Sequence, residues 1–178
     1  FEADVTGYDA GAVFVYRGVD GGLDPAPVQV LSGPQRLGRF GRSVAVGELT
    51  GDGQQDLVVG AFLAHSEADV SDVGAVYVFA GVEGGFFDPE PVRVTYGEAG
   101  GDYLGHAVAI CDFDGDGSGD LAMGQPREDD LASQQGAVRV VYGGDLGLVD
   151  ASEQKIYGRM PDEAGFLGPV LQLEMGAT

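Results

Sequence analysis

Four aspartates recur at short intervals in the nine-residue segment 112–120, which reads Asp-Phe-Asp-Gly-Asp-Gly-Ser-Gly-Asp. Asp112, Asp114, Asp116 and Asp120 take its first, third, fifth and ninth positions, and Ser118 can offer its backbone carbonyl from the seventh. In a tightly curled loop alternate residues point inward, and the glycines permit the curl. Such a cage of hard oxygens suits calcium, whose oxygen ligands lie at about 2.3–2.6 Å. Because four like charges this close repel strongly without a cation, the segment predicts a calcium site.

The segment 48–56 keeps the same spacing with a weaker set of ligands. Glu48 stands in the first position and Thr50 gives a neutral oxygen in the third, while Asp52, Gln54 and Asp56 take the fifth, seventh and ninth. We therefore predict a second, weaker calcium site. For both loops the alternative is that aspartate and glycine only form a turn.

The segment 112–120 differs from an EF-hand, which needs a glutamate at its twelfth position. Met123 stands at that position here. The flanking segments also have the apolar, glycine-bounded pattern of strands rather than a helical period. The ligand set is complete within nine residues, which suits a β-hairpin loop.

The two acidic loops belong to a long repeat. Gly41 and Gly60 recur as Gly105 and Gly124, in each case 64 positions later. A fixed period of this length indicates repeated supersecondary units. Each whole unit contains four predicted strands in an antiparallel meander, and the acidic loop joins the first strand to the second.

A four-stranded sheet of roughly 60 residues cannot bury both faces alone, so it must stack on its neighbours, and radial stacking gives a β-propeller. An open β-solenoid is the alternative, but its usual rung of about 20–30 residues is too short for this period. The sequence predicts an all-β, partial propeller of about three blades over 1–178. Its expected parts are the C-terminal half of blade 1 (1–36), blade 2 (37–100), blade 3 (101–163) and the first strand of blade 4 (164–178).

The predicted part of a propeller has two open ends. We expect apolar sheet faces near Val13 and Val170 to be covered by further blades of a longer protein or by self-association, because unpaired faces and edges invite contact.

The composition is strongly acidic, with 29 acidic and 9 basic residues and a formal net charge of −20. This balance excludes a basic face for nucleic acid. No apolar run approaches the roughly 20 residues that span a membrane, so we expect no membrane insertion. The single cysteine, Cys111, cannot form an intrachain disulfide.

The chain resembles the FG-GAP repeat family, which builds the seven-bladed propeller of integrin α-subunits and occurs in many bacterial surface or secreted proteins. The resemblance rests on Phe40-Gly41, Gly60-Ala61 and the DxDxDGxxD loop that starts at Asp112. The third unit departs from the pattern with Leu104-Gly105 and with Gly124-Gln125-Pro126. The compact loops and the lack of disulfides resemble a bacterial-type member more than an animal integrin.

The resemblance implies that the loop cations are structural and brace each blade. It assigns this role to two calcium ions. The implied ligands are Glu48, Thr50, Asp52, Gln54, Asp56, Asp112, Asp114, Asp116, Ser118 and Asp120.

The other notable polar residues have structural or solvated positions as their simplest interpretation. His106 falls where Arg42 stands in the preceding unit, which indicates a structural position, and His65 has no evident Ser or Cys partner. The run Glu128-Asp129-Asp130 is a candidate cation or ligand patch, but we expect a solvated acidic loop. The sequence therefore predicts no catalytic site and no enzyme.

In a meander the loops alternate between two ends of the sheet. The remaining long loops, at about 33–39, 62–73, 97–103 and 126–135, therefore lie opposite the calcium loops, and we call this the opposite face. Propeller ligands commonly use such a loop-rich face.

We expect an extracellular, cell-surface or periplasmic module that binds calcium and uses the opposite face for a protein or glycan ligand. The alternatives are a carbohydrate-binding propeller, disfavoured by the absence of tryptophan, and an accessory domain of a larger extracellular hydrolase.

Overall fold

A computed structural model describes residues 9–128 and 136–143, together with the backbone of two strands beyond them, 153–157 and 174–175. Every regular element in these ranges is a β-strand. The strands are β1 (Ala12–Val15), β2 (Gly18–Val19), β3 (Gly22–Leu23), β4 (Gln29–Ser32), β5 (Ser43–Gly47), β6 (Asp56–Ala61), β7 (Ala75–Phe79), β8 (Gly81–Val82), β9 (Phe86–Phe87), β10 (Arg93–Tyr96), β11 (Ala107–Cys111), β12 (Asp120–Gln125), β13 (Ala137–Val141), β14 (Glu153–Tyr157) and β15 (Glu174–Met175).

The strands form repeated antiparallel meanders, as the sequence predicts. Three main sheets follow one another along the chain. The first has the order β1-β4, the second β10-β7-β6-β5, and the third β11-β12-β13-β14-β15. Equivalent pairs hold equivalent register, for example Val44↔Val59 in the second sheet and Val108↔Met123 in the third. The prediction of an all-β chain built from repeated antiparallel sheets is therefore confirmed.

The first and third sheets bear on the predicted blade boundaries. In the first sheet β1 pairs with β4, while the short hairpin β2–β3 fills the connection between them, as β8–β9 does between β7 and β10. At the other end β15 pairs with β14 through Gln154↔Met175, which adds a fifth strand to the third sheet. Most of 164–178 lies outside the described residues, so the assignment of a fourth blade stays a prediction.

Two apolar seams join the three sheets, because strand residues alternate between faces. Tyr77 and Phe79 of β7 enter the first seam, between the first and second sheets, where they meet Phe40. Val76 and Val78 of the same strand enter the second seam, between the second and third sheets. Since β7 is buried on both faces, its run of apolar residues is continuous rather than alternating.

The first sheet has an exposed apolar face beside Val13, at the open end where the sequence predicts one. Val13 itself packs against the first seam, and the covering of the exposed face by further blades or a second copy stays a prediction. The neighbouring side chains Phe14 and Val30, with Tyr16 just beyond β1, are the exposed ones. The strand alternates, and Val13 turns toward the second sheet because Leu31, its cross-strand partner, is buried there. Val170 lies outside the described residues.

Glycines of the repeat motif lie where neighbouring sheets come closest. A Cβ on Gly60 would collide with the carbonyl oxygen of Gly105, and a Cβ on Gly74 would collide with the backbone of Leu104. Gly74 also has a positive φ of 79°, a conformation that only glycine adopts at low cost. Gly60 and Gly74 are thus required by contact between the second and third sheets, as is Gly105, whose added Cβ would collide with the Ala75 carbonyl oxygen.

Polar contacts close the first seam at both ends. The Gln29 amide exchanges two hydrogen bonds with the backbone of Phe87, at 2.6 and 3.0 Å. The Gln35 amide does the same with the backbone of His65, at 2.7 and 3.0 Å. Between them, burial raises the pKa of the Tyr77 phenol, and the neighbouring phenol of Tyr96 raises it further. His65 therefore serves this seam through its backbone.

Candidate metal centre

The Asp112 loop (residues 112–120) connects β11 to β12 and gathers three carboxylates. Ligand oxygens of Asp112, Asp114 and Asp116 all lie within 4.8 Å of one another, and all three side chains are exposed. Asp112 accepts hydrogen bonds from the N–H groups of Gly115 at 2.7 Å and Gly117 at 3.0 Å. Both glycines have positive φ, 81° and 93°, so the loop curls tightly around its own first residue.

The later positions of the loop continue the curl. The Asp116 N–H donates to Asp114 Oδ1 at 3.1 Å, and the Ser118 N–H donates to Asp116 Oδ1 at 2.7 Å. Three anionic side chains with hard oxygen donors, held together on a solvent-exposed loop, match the ligands that calcium takes. The donor set present therefore fits calcium.

The fourth aspartate of the loop, Asp120, differs from these three exposed carboxylates because it is fully buried. One carboxylate oxygen accepts from the Phe113 N–H at 2.6 Å and the other from the Gly143 N–H at 2.8 Å. This carboxylate ties the start of the loop to the segment that follows β13, so it shapes the loop through hydrogen bonds with backbone.

The Glu48 loop (residues 48–56) connects β5 to β6 and repeats the buried carboxylate. Asp56 is fully buried. Its Oδ2 accepts from the N–H groups of Leu49 and Thr50 at 2.8 and 2.9 Å, and its Oδ1 accepts from the Gly81 N–H at 2.8 Å. We call Asp56 and Asp120 the brace aspartates, because each joins its acidic loop to the segment after the third strand of its sheet.

The exposed part of the Glu48 loop is less rich in carboxylates. Glu48 accepts from the Gly51 N–H at 2.7 Å, and Asp52 accepts from the Gln54 N–H at 2.7 Å. Within the described ranges the only group of three acidic or other metal-binding side chains is the one in the Asp112 loop. The sequence-based ranking of the two loops agrees with this difference, while the full ligand sets of both sites stay predictions.

The two loops touch each other. A Cβ on Gly119 would collide with the carbonyl oxygen of Glu48, and a Cβ on Gly47 would lie 2.7 Å from Ile110 Cγ2. The acidic loops therefore lie side by side at one end of the sheets. Sequence reasoning missed this contact, because its members are 71 positions apart (119 − 48).

The long loops meet at the other end of the second seam. Gly101 and Tyr103 donate to the Asp72 carbonyl at 3.0 and 3.3 Å, and Leu104 donates to the Val73 carbonyl at 3.1 Å. These contacts join the loop after β6 to the loop before β11. His106 lies here, partly buried, with its ring centroid 5.4 Å from that of Phe62 in an edge-to-face contact.

One residue of the candidate acidic patch on this face differs from expectation. Glu128 is fully buried rather than solvated, and its carboxylate accepts a hydrogen bond from the buried Gln125 amide. The expectation of a solvated loop is wrong for Glu128, because the Gln125 side chain at the end of β12 supplies a buried donor. Asp129 and Asp130 lie outside the described residues.

The repeated sheets, the apolar seams between them and the close glycine contacts are those of β-propeller blades, and the family of this chain can be identified. The FG-GAP repeat family matches residues 40–79 and 104–141. The chain therefore carries FG-GAP repeats and belongs to that family, as an integrin-α-like member. Whether it is of the bacterial type stays a prediction.

Two groups of curated relatives match most of this chain: integrin alpha subunits and phospholipases D. Integrin alpha-3 of Mus musculus is 34% identical over 149 residues, covering 83% of this chain and 13% of the relative. Integrin alpha-7 of Mus musculus is 33% identical, covering 83% of this chain and 12% of the relative. Phosphatidylinositol-glycan-specific phospholipase D of Rattus norvegicus is 33% identical, covering 76% of this chain and 17% of the relative. The chain thus spans under a fifth of the length of these curated relatives.

The described segments include no helix long and apolar enough to cross a membrane.

Proposed function

We propose that this chain is a calcium-binding, non-enzymatic FG-GAP module of a secreted or cell-surface protein, and that it mediates protein interaction or adhesion. The observation that carries the calcium part is the cluster of Asp112, Asp114 and Asp116, whose oxygens lie within 4.8 Å of one another. Without a cation these like charges repel, and a divalent ion replaces the repulsion with attraction.

In the stronger site the three clustered carboxylates hold the ion together with the Ser118 carbonyl and Asp120. Asp120 can serve both roles, because a carboxylate oxygen has two lone pairs and each of its oxygens accepts one N–H bond. Calcium thereby stabilises the junction of β11 and β12, where the loop emerges.

In the weaker site Glu48, Thr50, Asp52, Gln54 and Asp56 supply the ligands. Asp56 accepts three hydrogen bonds at 2.8–2.9 Å, and Thr50 is neutral, so less negative charge is available to the ion. Affinity in oxygen-ligand loops rises with the number of charged ligands, so we expect the Glu48 loop to bind calcium more weakly.

Isothermal titration of the chelator-treated chain with calcium tests the proposal. We expect two bound ions in the unmodified chain, and one in each of Asp116→Ala and Asp52→Ala, with the tighter ion lost from Asp116→Ala. Magnesium is a control, because it demands a smaller octahedral site. Absence of binding at millimolar calcium would exclude the calcium function.

The interaction function is supported by the integrin names of two relatives and by the long loops that meet on the opposite face. Further blades or a second copy of the chain are the proposed partners of the open sheet face at Phe14 and Val30. An extracellular, cell-surface or periplasmic location is proposed on the same relatives.

A second function, an accessory domain of a larger hydrolase, is favoured by the relative named as a phospholipase D. In that case the chemistry belongs to other parts of the protein. The full-length reading frame distinguishes the two, since a hydrolase domain encoded with these repeats would replace the adhesion proposal. A glycan array tests the carbohydrate-binding alternative, which the lack of tryptophan disfavours.

A further inference from the structure

Two arginines on the opposite face lie over aromatic rings. The Arg42 guanidinium lies 5.9 Å from the Phe62 ring centroid, and the Arg127 guanidinium lies 4.8 Å from that of Tyr103. The rings of Phe62 and Tyr103 contact each other edge to face at 5.7 Å. These four side chains form one continuous row across the second seam, and we call them the arginine–aromatic row.

The row is assembled from four separate segments. Arg42 precedes β5, Phe62 follows β6, Tyr103 lies before β11, and Arg127 follows β12. Arg127 Nη1 also lies 3.3 Å from the Tyr103 hydroxyl, and the His106 ring packs against Phe62. Cation–π contact with the rings positions both guanidinium groups without a carboxylate partner.

Both arginines are exposed, and among the described residues no carboxylate lies within ion-pair distance of either. This is unusual in a chain with 29 acidic and 9 basic residues. Other arginines do find acids, as Arg39 does with Asp9 at 3.1 Å and Arg139 with Glu98 at 3.9 Å. Within the described part of the chain no acid therefore neutralises the row, and both guanidinium groups can bind a group from outside.

The chemistry of the row suits a carboxylate. A guanidinium carries five N–H donors in a planar fork that matches the two oxygens of a carboxylate, and the structure gives only one of those of Arg127 to the Tyr103 hydroxyl. Charge-assisted hydrogen bonds of this kind are roughly twice as strong as neutral ones. Arg and Tyr are also residue types enriched at the centres of protein interfaces.

We propose that the arginine–aromatic row binds a discrete Asp or Glu side chain of a partner protein. This rests on the proposed interaction function but not on calcium. Extended polyanions are disfavoured, because exposed acids such as Glu67, Asp69 and Glu98 lie on loops of the same face and the whole chain carries −20. Sugar stacking is disfavoured, because a guanidinium covers a face of both Phe62 and Tyr103.

The test follows the arginine Nε–Hε signals by nuclear magnetic resonance during titration with the peptide acetyl-Gly-Glu-Gly-Glu-Gly-amide. We expect saturable shifts of Arg42 and Arg127, little shift of the exposed Arg17, and no response to the peptide with Gln in place of Glu. Arg42→Gln and Arg127→Gln each weaken binding about tenfold, since each removes a charge-assisted hydrogen-bonding group. Arg17→Gln is the matched charge control and leaves binding unchanged.

Three results would overturn the proposal: equal shifts at all arginines, no saturable shift at tens of millimolar peptide, or equal binding of a methyl glucuronide that carries the same carboxylate on a sugar. Tyr103→Phe keeps the ring and removes only the hydroxyl contact, so a large loss in that variant would also contradict the stacking role. Melting curves of every variant confirm folding. Calcium stoichiometry in the same samples reports separately on the calcium function, so the two can fail independently.

Discussion

The Asp112 loop and the Glu48 loop occupy equivalent places in successive sheets, yet they are held in different ways. Both contain a buried brace aspartate that accepts backbone N–H groups from its own loop and from the segment after the third strand. Only the Asp112 loop adds a cluster of three exposed carboxylates among the described residues. The comparison separates two tasks that one motif combines: shaping the loop and attracting a cation.

The brace needs no ion, because its partners are backbone N–H groups. The cluster gains from an ion, because its members repel one another. A loop can therefore have a neutral ligand in place of a charged one, as at Thr50, and still keep its shape through Asp56. The predictions below change one task at a time, in order of expected effect.

Removing a brace aspartate should have the largest effect, even in the presence of chelator. Asp56→Ala leaves the N–H groups of Leu49, Thr50 and Gly81 without their acceptor, which we expect to lower the free energy of unfolding by about 3 kcal/mol. Asp120→Ala should cost slightly less, since two such bonds are lost. Urea denaturation in chelator measures both.

The matched control for the brace is Asp52→Ala in the same loop. Asp52 is exposed, so this change should stay within about 0.5 kcal/mol in chelator. If Asp52→Ala and Asp56→Ala were equally stable without calcium, the brace would have no role independent of the ion.

Calcium should raise the melting temperature mainly through the Asp112 loop. Binding to the folded state contributes about 2.7 kcal/mol at a hundredfold excess over Kd. Asp116→Ala should remove more of the calcium-dependent rise than Asp52→Ala, because Asp116 belongs to the carboxylate cluster. Differential scanning calorimetry with and without chelator measures the rise, and a melting curve that chelator leaves unchanged would contradict the calcium role.

Exchanging the residues at the eighth position of the two loops, Gly119 and Gln55, should change stability by different amounts, because their neighbours differ. Gly119 packs against the Glu48 carbonyl, so Gly119→Gln should force the two loops apart and cost about 2 kcal/mol. The equivalent residue Gln55 is exposed, and Gln55→Gly should cost only about 0.5 kcal/mol. Chemical denaturation of both variants measures the difference, and equal costs would indicate that the loops do not press on each other.

The smallest effect should come from giving the third position of the weaker loop a charged ligand in place of the neutral Thr50. Thr50→Asp adds a carboxylate at the third position, and we expect calcium affinity there to rise about tenfold, or about 1.4 kcal/mol. Without calcium the same variant should be slightly less stable, because the new charge lies near Asp56. Calcium titration calorimetry measures the change, with Thr50→Asn as the uncharged control. An unchanged affinity would mean that charge does not limit this loop.

Much of the architecture could be predicted from local patterns. The 64-residue period, the glycine-bounded apolar segments and the Asp–Gly loops each report a constraint that acts within a few residues, namely strand formation, tight turns and oxygen spacing. These suffice for the meander, the loop positions and the FG-GAP family.

Tertiary structure decided what depends on residues distant in sequence. Alternation alone does not say which of Val13 and Phe14 turns inward, and Leu31 and the neighbouring sheet settle it. The aspartate at the ninth position of each loop becomes a brace only because Gly81 and Gly143 bring their N–H groups to it from 25 and 23 positions away. Glu128 is buried because Gln125 supplies a donor there, and Arg42 meets Phe62 only when β5 and β6 pair. A sequence specifies the groups and their local spacing, whereas burial, exposure and long-range partners follow from how the sheets pack.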